Sequence, residues 1–234
     1  MRPRTPAVGG MVGLFVAVAL LHLGAQLSGG DDVADATQVL LMPVLAAVLW
    51  LQSAAPRSRL VVLTLVALGL SWLGDSAPRL TDGDAAFLVM VGFFLLAQVA
   101  YIVAFLPYRA HSVLHVRRPL LLCYVLAVVA LVLACVGGAG EMLVPVLLYG
   151  TCLGAMAVLS TGVNRFTAVG GALFLVSDGL IALDVFVPAF GLPAQGFWVM
   201  STYVAAQALL VGGVLLERER TQLTPMQTDA VRSR

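Results

Sequence analysis

The sequence predicts an all-α integral membrane protein with eight transmembrane helices, and two observations lead to this prediction. First, 61% of the 234 residues are hydrophobic and only 11% are charged, whereas soluble domains are about 45–50% apolar and about 25% charged. Second, the apolar residues gather in segments of roughly 17–22 residues, which is long enough for a helix to cross a bilayer. We therefore expect a single transmembrane domain over residues 1–234.

The eight segments are separated by short loops rich in Gly, Pro, Asp and Ser, which are turn-forming residues. The predicted spans are 9–27, 37–52, 60–77, 86–106, 119–136, 142–160, 167–187 and 197–216. The first span follows two arginines and resembles a signal peptide, but seven more spans come after it, so we expect it to be retained. Residues 217–234 are expected to form a cytoplasmic tail.

The charged residues test this count independently. With eight crossings, both termini lie on one side of the membrane, and that side holds twelve of the 13 basic residues, all of them arginine. These are Arg2, Arg4, Arg57, Arg59, Arg109, Arg117, Arg118, Arg165, Arg218, Arg220, Arg232 and Arg234. Since positive residues are enriched in cytoplasmic loops, both termini are predicted to be cytoplasmic. The absence of lysine suggests a GC-rich coding genome and hence a bacterial cell membrane.

Spans 2–4 and 6–8 resemble each other, which predicts a parallel 4+4 internal repeat. MetProValLeu at 42–45 matches ValProValLeu at 144–147. Asp75 follows the proline of the first motif by 32 residues, and Asp178 follows the proline of the second by 33. An Ala-Gln pair then occurs in spans 4 and 8. Because four spans separate the copies, both cross in the same direction, and an axis along the membrane normal relates them.

Asp75 and Asp178 are the strongest functional candidates. Each lies inside an apolar run, LVALGLSWLGDS or GGALFLVSDGLIAL, and an ionisable group at membrane depth is costly enough to indicate a function. If the repeat brings both to the same axis, they form a pair that cannot ionise fully and that shares a proton. Such a pair suits acid-catalysed cleavage through an oxocarbenium-like cation. The alternative is that each aspartate only caps or joins helices.

Other polar residues are expected at the same depth. Gln98 and Gln207, with Tyr101 and Tyr203 on the same spans, are predicted to line the pocket around the aspartates. Arg79 follows Asp75 by four residues, but Pro78 makes a regular helical ion pair doubtful. Arg79 is therefore expected either to bind an anionic headgroup or to be solvated.

Metal and nucleotide chemistry lack their usual signatures. His111 and His115 have helical spacing but no third ligand nearby, and the chain has no GxSxG, HExxH or P-loop motif. We expect no cofactor, no metal site and no nucleic-acid partner, and the sequence leaves the oligomeric state open.

Several motifs carry a resemblance to a known family. They are LLMP at 40–43, LGDS at 73–76, FLLAQVAYIVAF at 94–105, ALFLVSDGLIALDVF at 172–186 and STYVAAQALL at 201–210. Together they resemble the YhhN-like family of eight-span membrane proteins, which includes the lysoplasmalogenases. The family's two aspartates, proposed as catalytic, map onto Asp75 and Asp178. Departures are Gln38-Val39, where relatives often have Lys-Pro, and Gln98, where they often have His.

The resemblance implies an ether hydrolase whose substrate is a lysophospholipid from the bilayer. Such an enzyme cleaves the vinyl ether bond of lysoplasmenyl lipids to a fatty aldehyde and glycerophosphocholine or glycerophosphoethanolamine. Two other functions remain open from the residues alone. Intramembrane carboxylates and internal repeats also occur in proton-coupled transporters, and the aspartates of a lipid-binding scaffold would only hold helices together.

Overall fold

The computed structural model describes residues 6–232, and beyond residue 221 it describes the backbone alone. Eight α-helices and three short 3-10 turns account for most of this range, and no strand occurs within it. The helices are α1 (Pro6–Ser28), α2 (Asp31–Gln52), α3 (Arg59–Ser76), α4 (Gly83–Phe105), α5 (Arg118–Ala139), α6 (Leu143–Ser160), α7 (Arg165–Phe186) and α8 (Gln195–Arg232). The prediction of an all-α membrane protein is confirmed.

Two helix boundaries differ from those that hydropathy predicts. Helix α2 begins at Asp31 rather than at residue 37, because Asp31 and Asp32 occupy its first turn, where acidic side chains stabilise the positive end of the helix dipole. Helix α8 continues to Arg232, so most of the expected tail at 217–234 is helical; its Leu, Glu, Arg and Gln residues favour helix. Arg2, Arg4 and Arg234 lie outside the described residues.

One end of the bundle collects the arginine-bearing loops, and we call it the arginine-rich end. There the guanidinium of Arg218 donates hydrogen bonds to the carbonyls of Gln52 and Ala54 at 2.8 and 3.2 Å. The amide of Val113 donates to the hydroxyl of Thr161 at 3.0 Å. These contacts join the end of α8 to the α2–α3 turn, and the α4–α5 loop to the α6–α7 turn.

The opposite end, which we call the arginine-poor end, joins the remaining turns. The rings of Phe87 on α4 and Phe186 on α7 meet edge to face with centroids 5.6 Å apart. A Cβ at Gly138 of α5 would lie 2.0 Å from the Phe186 carbonyl oxygen, so the end of α5 packs directly on α7. Arg79, after α3, forms an ion pair with Asp35 on α2 at 3.2 Å.

Helices α5 and α6 form an antiparallel hairpin. By length and composition, seven helical stretches among the described residues are long and apolar enough to span a membrane, and residues 118–160 form one of them. Within it, a Cβ at Gly150 would lie 3.5 Å from Val132, and one at Gly154 would lie 2.8 Å from Val128. These contacts require the chain to turn back near the 3-10 turn Gly140–Met142. The stretch therefore has room for two crossings, and the count of eight stays a prediction.

Helix neighbours agree in part with the expected repeat. Helix α3 packs on α4 as α7 packs on α8, and α2 packs on α3 as α6 packs on α7. Helix α5 departs from the pattern because it packs against α7, whereas α1 packs against α2 and α8 and not against α3. The repeat itself stays a prediction.

Candidate active site

Asp75 lies one residue from the end of α3, in a network of polar side chains. The hydroxyl of Tyr203 on α8 donates a hydrogen bond to its Oδ2 at 2.9 Å, and the amide of Gln38 on α2 donates to its Oδ1 at 3.4 Å. Both carboxylate oxygens are therefore accepting. The residue is 8% exposed, so it is almost withdrawn from solvent and lipid but is not sealed.

Asp178 on α7 has a different environment. The hydroxyl of Tyr149 on α6 donates a short hydrogen bond to its Oδ2, and among the described side chains no other donor reaches it. Asp178 is also 8% exposed, and it borders a cleft with about 670 Å³ of empty space, counted out to its open mouth. Apart from Asp178, Tyr149 and Cys135, the side chains lining the cleft are apolar.

The side chains around Asp75 and the cleft beside Asp178 both contact one aromatic residue. This residue is Phe94 on α4, whose ring lies between the residues around Asp75 and the cleft beside Asp178. It borders the cleft, meets the Tyr203 ring edge to face at 5.8 Å, and packs so closely on Gly74 that a Cβ there would lie 2.7 Å from it. Glycine beside Asp75 is therefore what allows Phe94 to reach this position.

The polar pocket expected from the sequence is only partly present. Of the predicted site residues, Asp178 alone borders the cleft, and Gln98, Tyr101, Tyr203 and Gln207 are buried in the packed layer behind it. This cleft therefore does not unite the predicted residues in one polar pocket, and their joint role stays a prediction. The physical reason is Phe94, whose ring occupies the space between the cleft and the side chains around Asp75.

The two glutamines of the expected repeat behave differently. Gln207 accepts a hydrogen bond from the hydroxyl of Tyr101 at 2.6 Å and donates one to Ser71 at 3.1 Å. Gln98 is fully buried, and neither amide atom has a hydrogen-bond partner although the Tyr149 hydroxyl lies nearby. A buried amide normally finds partners, so Gln98 provides unused donors and an unused acceptor next to the Tyr149–Asp178 pair.

Arg79 contacts two protein side chains, and the two alternatives expected from the sequence stay predictions. The helix ends before Pro78, as predicted, and residues 77–80 form a 3-10 turn. From this turn the guanidinium reaches Asp35 at 3.2 Å and donates to the Gln38 side-chain oxygen at 3.2 Å. Gln38 therefore links Arg79 to Asp75. The Arg79 side chain remains 34% exposed, so part of it can still meet a ligand.

A family model described as the YhhN family matches residues 33–214. The chain belongs to the YhhN family. It is similar to "Lysoplasmalogenase" of Mycobacterium tuberculosis (strain CDC 1551 / Oshkosh), with 28% identity over 93% of this chain and 85% of the relative. It is also similar to "Lysoplasmalogenase TMEM86B" of Rattus norvegicus, with 32% identity over 72% of this chain and 68% of the relative. The Mus musculus protein of that name is 34% identical over 72% and 70%.

No solved structure matches this YhhN-family chain. The resemblance stated from the motifs is confirmed by the family match.

Sequence reasoning missed three residues of the site in this YhhN protein. Tyr149, Gln38 and Phe94 all contact one of the aspartates or their partners. Tyr149 gave no signal because single tyrosines are common in membrane spans. Gln38 did give a signal, because it is an amide in α2 at the same end of the bundle as Asp75. The direction of its side chain depends on the rotation of α2 about its axis, which hydropathy does not determine.

Proposed function

We propose that this protein is a membrane-embedded ether hydrolase of the lysoplasmalogenase type, which cleaves the vinyl ether bond of lysoplasmenyl lipids. The observation that carries the proposal is a pair of nearly buried carboxylates, one of which borders an apolar cleft. The similarity to curated lysoplasmalogenases over 72–93% of the chain supports the same conclusion. No contact among the described residues favours the proton-coupled transporter that the sequence left open.

The reaction needs an acid that can protonate carbon. Protonation of the alkenyl carbon remote from oxygen turns the vinyl ether into an oxocarbenium ion. Water adds to the carbon beside the oxygen and loses a proton. The resulting hemiacetal then collapses to a fatty aldehyde and a glycerol hydroxyl. One water is consumed, and the proton is returned to the protein.

The hydrogen-bond partners support a division of roles between the two aspartates. Both oxygens of Asp75 accept hydrogen bonds, so in this proposal Asp75 orients water and stabilises the cation. Asp178 accepts through Oδ2 alone, which leaves Oδ1 to carry the proton. Because Asp178 borders the apolar cleft, a proton on this carboxyl would be next to the space that an alkenyl chain would occupy. General acid–base catalysis of this kind contributes about 10²–10⁴ in rate.

Three further side chains complete the proposed site. Tyr149 and Tyr203 hold the two carboxylates in place through their hydroxyl groups. The amide of Gln98 is fully buried and has no hydrogen-bond partner, so it is available to a buried water beside Tyr149. Arg79 lies at the bundle end that is predicted to face outward, where its guanidinium would bind the phosphate of the headgroup.

The test is hydrolysis by the purified protein in detergent, followed by measurement of released fatty aldehyde. Lysoplasmenylcholine should yield aldehyde. The saturated alkyl-ether lysolipid of the same chain length is the matched control and should not react, because it has no double bond to protonate. Absence of aldehyde from lysoplasmenylcholine and lysoplasmenylethanolamine, with protein that remains folded, would contradict the proposal.

A further inference from the structure

The cleft beside Asp178 lies between the halves of α6 and α7 that point to the arginine-poor end. At the other end the two helices touch, since a Cβ at Gly171 would lie 2.3 Å from the Ser160 hydroxyl. Beyond Tyr149 and Asp178 they enclose the cleft, whose walls there include Val146 and Ala182. Helices α4 and α5 close its two sides.

Dimensions and chemistry restrict what this cleft can hold. From Asp178 to Phe186, which also lines it, α7 rises about 12 Å. A phosphate group placed among these apolar side chains would lose its hydration without gaining a positively charged partner. A hydrocarbon chain loses no such interaction, and its burial is favourable.

Helix α5 stands between the cleft and the surrounding lipid. Cys135 and Ala139 are the buried residues of this helix, and Cys135 lines the cleft. On its other faces the helix presents apolar side chains such as Leu122, Leu126 and Leu133, which are 57–68% exposed. The cleft is thus one helix away from the hydrocarbon phase of the bilayer.

We propose that this cleft is the binding site for the hydrocarbon chain of a single-chain lipid, taken from the bilayer past α5 and held with its linkage end at Asp178. The proposal deepens the proposed function and rests on it for the identity of the linkage. It gives the two halves of the site different tasks. The apolar half around Asp178 selects the chain, and the polar half around Asp75, Gln38 and Arg79 is left for the headgroup. Phe94 lies at the boundary.

Chain-length selectivity provides one arm of the test. Val146→Phe places a ring in the cleft, and Val144→Phe is the matched control, because Val144 lies on the same helix, is 72% exposed and does not line the cleft. Val146→Phe should lower kcat/KM for a sixteen-carbon lysoplasmenyl lipid by about tenfold or more, while an eight-carbon substrate changes less, since methylene contacts in a pocket are worth about 10–200-fold. Ala182→Leu on the facing wall should act likewise, with Val185→Leu as its control.

Photocrosslinking provides the second arm and requires no hydrolysis. A sixteen-carbon alkyl-ether lysolipid with a diazirine near the chain terminus is irradiated with the wild-type protein in lipid nanodiscs, and labelled peptides are mapped by mass spectrometry. Labels should fall on the cleft-lining parts of α4 to α7 and should be reduced by Val146→Phe but not by Val144→Phe. Labels on α2, α3 or α8 instead, or equal labelling and equal chain preference in both variants, would overturn the proposal. If the probe labels the cleft but the protein releases no aldehyde from lysoplasmenyl lipids, the chain-binding site is retained and the proposed hydrolase activity is rejected.

Discussion

The hydroxyl of Tyr203 donates a 2.9 Å hydrogen bond to Asp75, joining α8 to α3 across 128 positions of the chain. The ring of the same tyrosine meets Phe94 and Phe174 edge to face, at 5.8 and 5.6 Å. Tyr203 therefore holds one carboxylate with its hydroxyl, and its ring packs against Phe94, which borders the cleft. The two halves of the chain meet through this residue.

Two tyrosine-to-phenylalanine variants test whether the tyrosine hydroxyls position the carboxylates. Each variant removes the hydroxyl that donates a hydrogen bond to one aspartate. Tyr203→Phe and Tyr149→Phe keep the rings and should each lower kcat by about tenfold, because a hydrogen bond is worth about 0.5–1.5 kcal/mol and more when its acceptor is charged. Tyr124→Phe, on α5 outside the site, is the control and should have the activity of the wild type. Unchanged aldehyde release in both site variants would remove the tyrosines from the account.

Replacing Gln98 and replacing Gln207 should have different effects on the stability of the protein. Gln207→Leu leaves the Tyr101 hydroxyl without its acceptor, so the free energy of unfolding should fall by about 1–2 kcal/mol. Gln98→Leu removes an amide that has no partner and should leave stability unchanged or raise it, while lowering the rate of hydrolysis. Thermal unfolding of both variants in one detergent measures the difference. An equal loss of stability in both would show that Gln98 has a structural role.

The KM of an Arg79 variant tests whether this arginine binds the lipid headgroup. Arg79→Gln removes the positive charge but keeps a hydrogen-bonding side chain, and we expect KM for lysoplasmenylcholine to rise about tenfold with little change in kcat. Asp35→Asn breaks the same ion pair while keeping the arginine, and it should not raise KM. A similar rise in both variants would assign the effect to the ion pair rather than to the phosphate.

The orientation prediction can be checked by cysteine labelling in intact cells. In a background where Cys123, Cys135 and Cys152 are alanine, Asp84→Cys should react with a membrane-impermeant maleimide and Arg117→Cys should not. The reason is that the twelve-to-one arginine distribution predicts that the arginine-rich end faces the cytoplasm. The opposite labelling pattern would reverse the orientation and place Arg79 on the cytoplasmic side.

The sequence was sufficient to predict the helices and to predict that the two aspartates are nearly buried. Apolar length located all eight α-helices, and an acidic residue in an apolar run is conspicuous because it is costly there. The early start of α2 was missed because hydropathy treats Asp31 and Asp32 as loop residues, although a helix N-terminus favours them.

Side-chain partners were less accessible to prediction. The donors to Asp75 and Asp178 come from different places in the two halves, namely Tyr203 on α8 and Tyr149 on α6, so the repeat could not supply one from the other. A helix turns 100° per residue, and a small change in its rotation decides whether an amide such as Gln98 finds a partner. Phe94 was not distinguishable from any other core aromatic, because its position depends on its contact with Gly74.

The most direct test of the central claim is the rate of aldehyde release from lysoplasmenylcholine by Asp75→Asn and Asp178→Asn, each compared with the wild type at equal amounts of folded protein. Each amide keeps the shape of the side chain but cannot exchange the proton, so each single variant should lose about 10²–10⁴ in rate. The double variant should be little worse than either, because the pair acts as a unit. Near wild-type release by either folded variant would contradict the aspartate-pair mechanism.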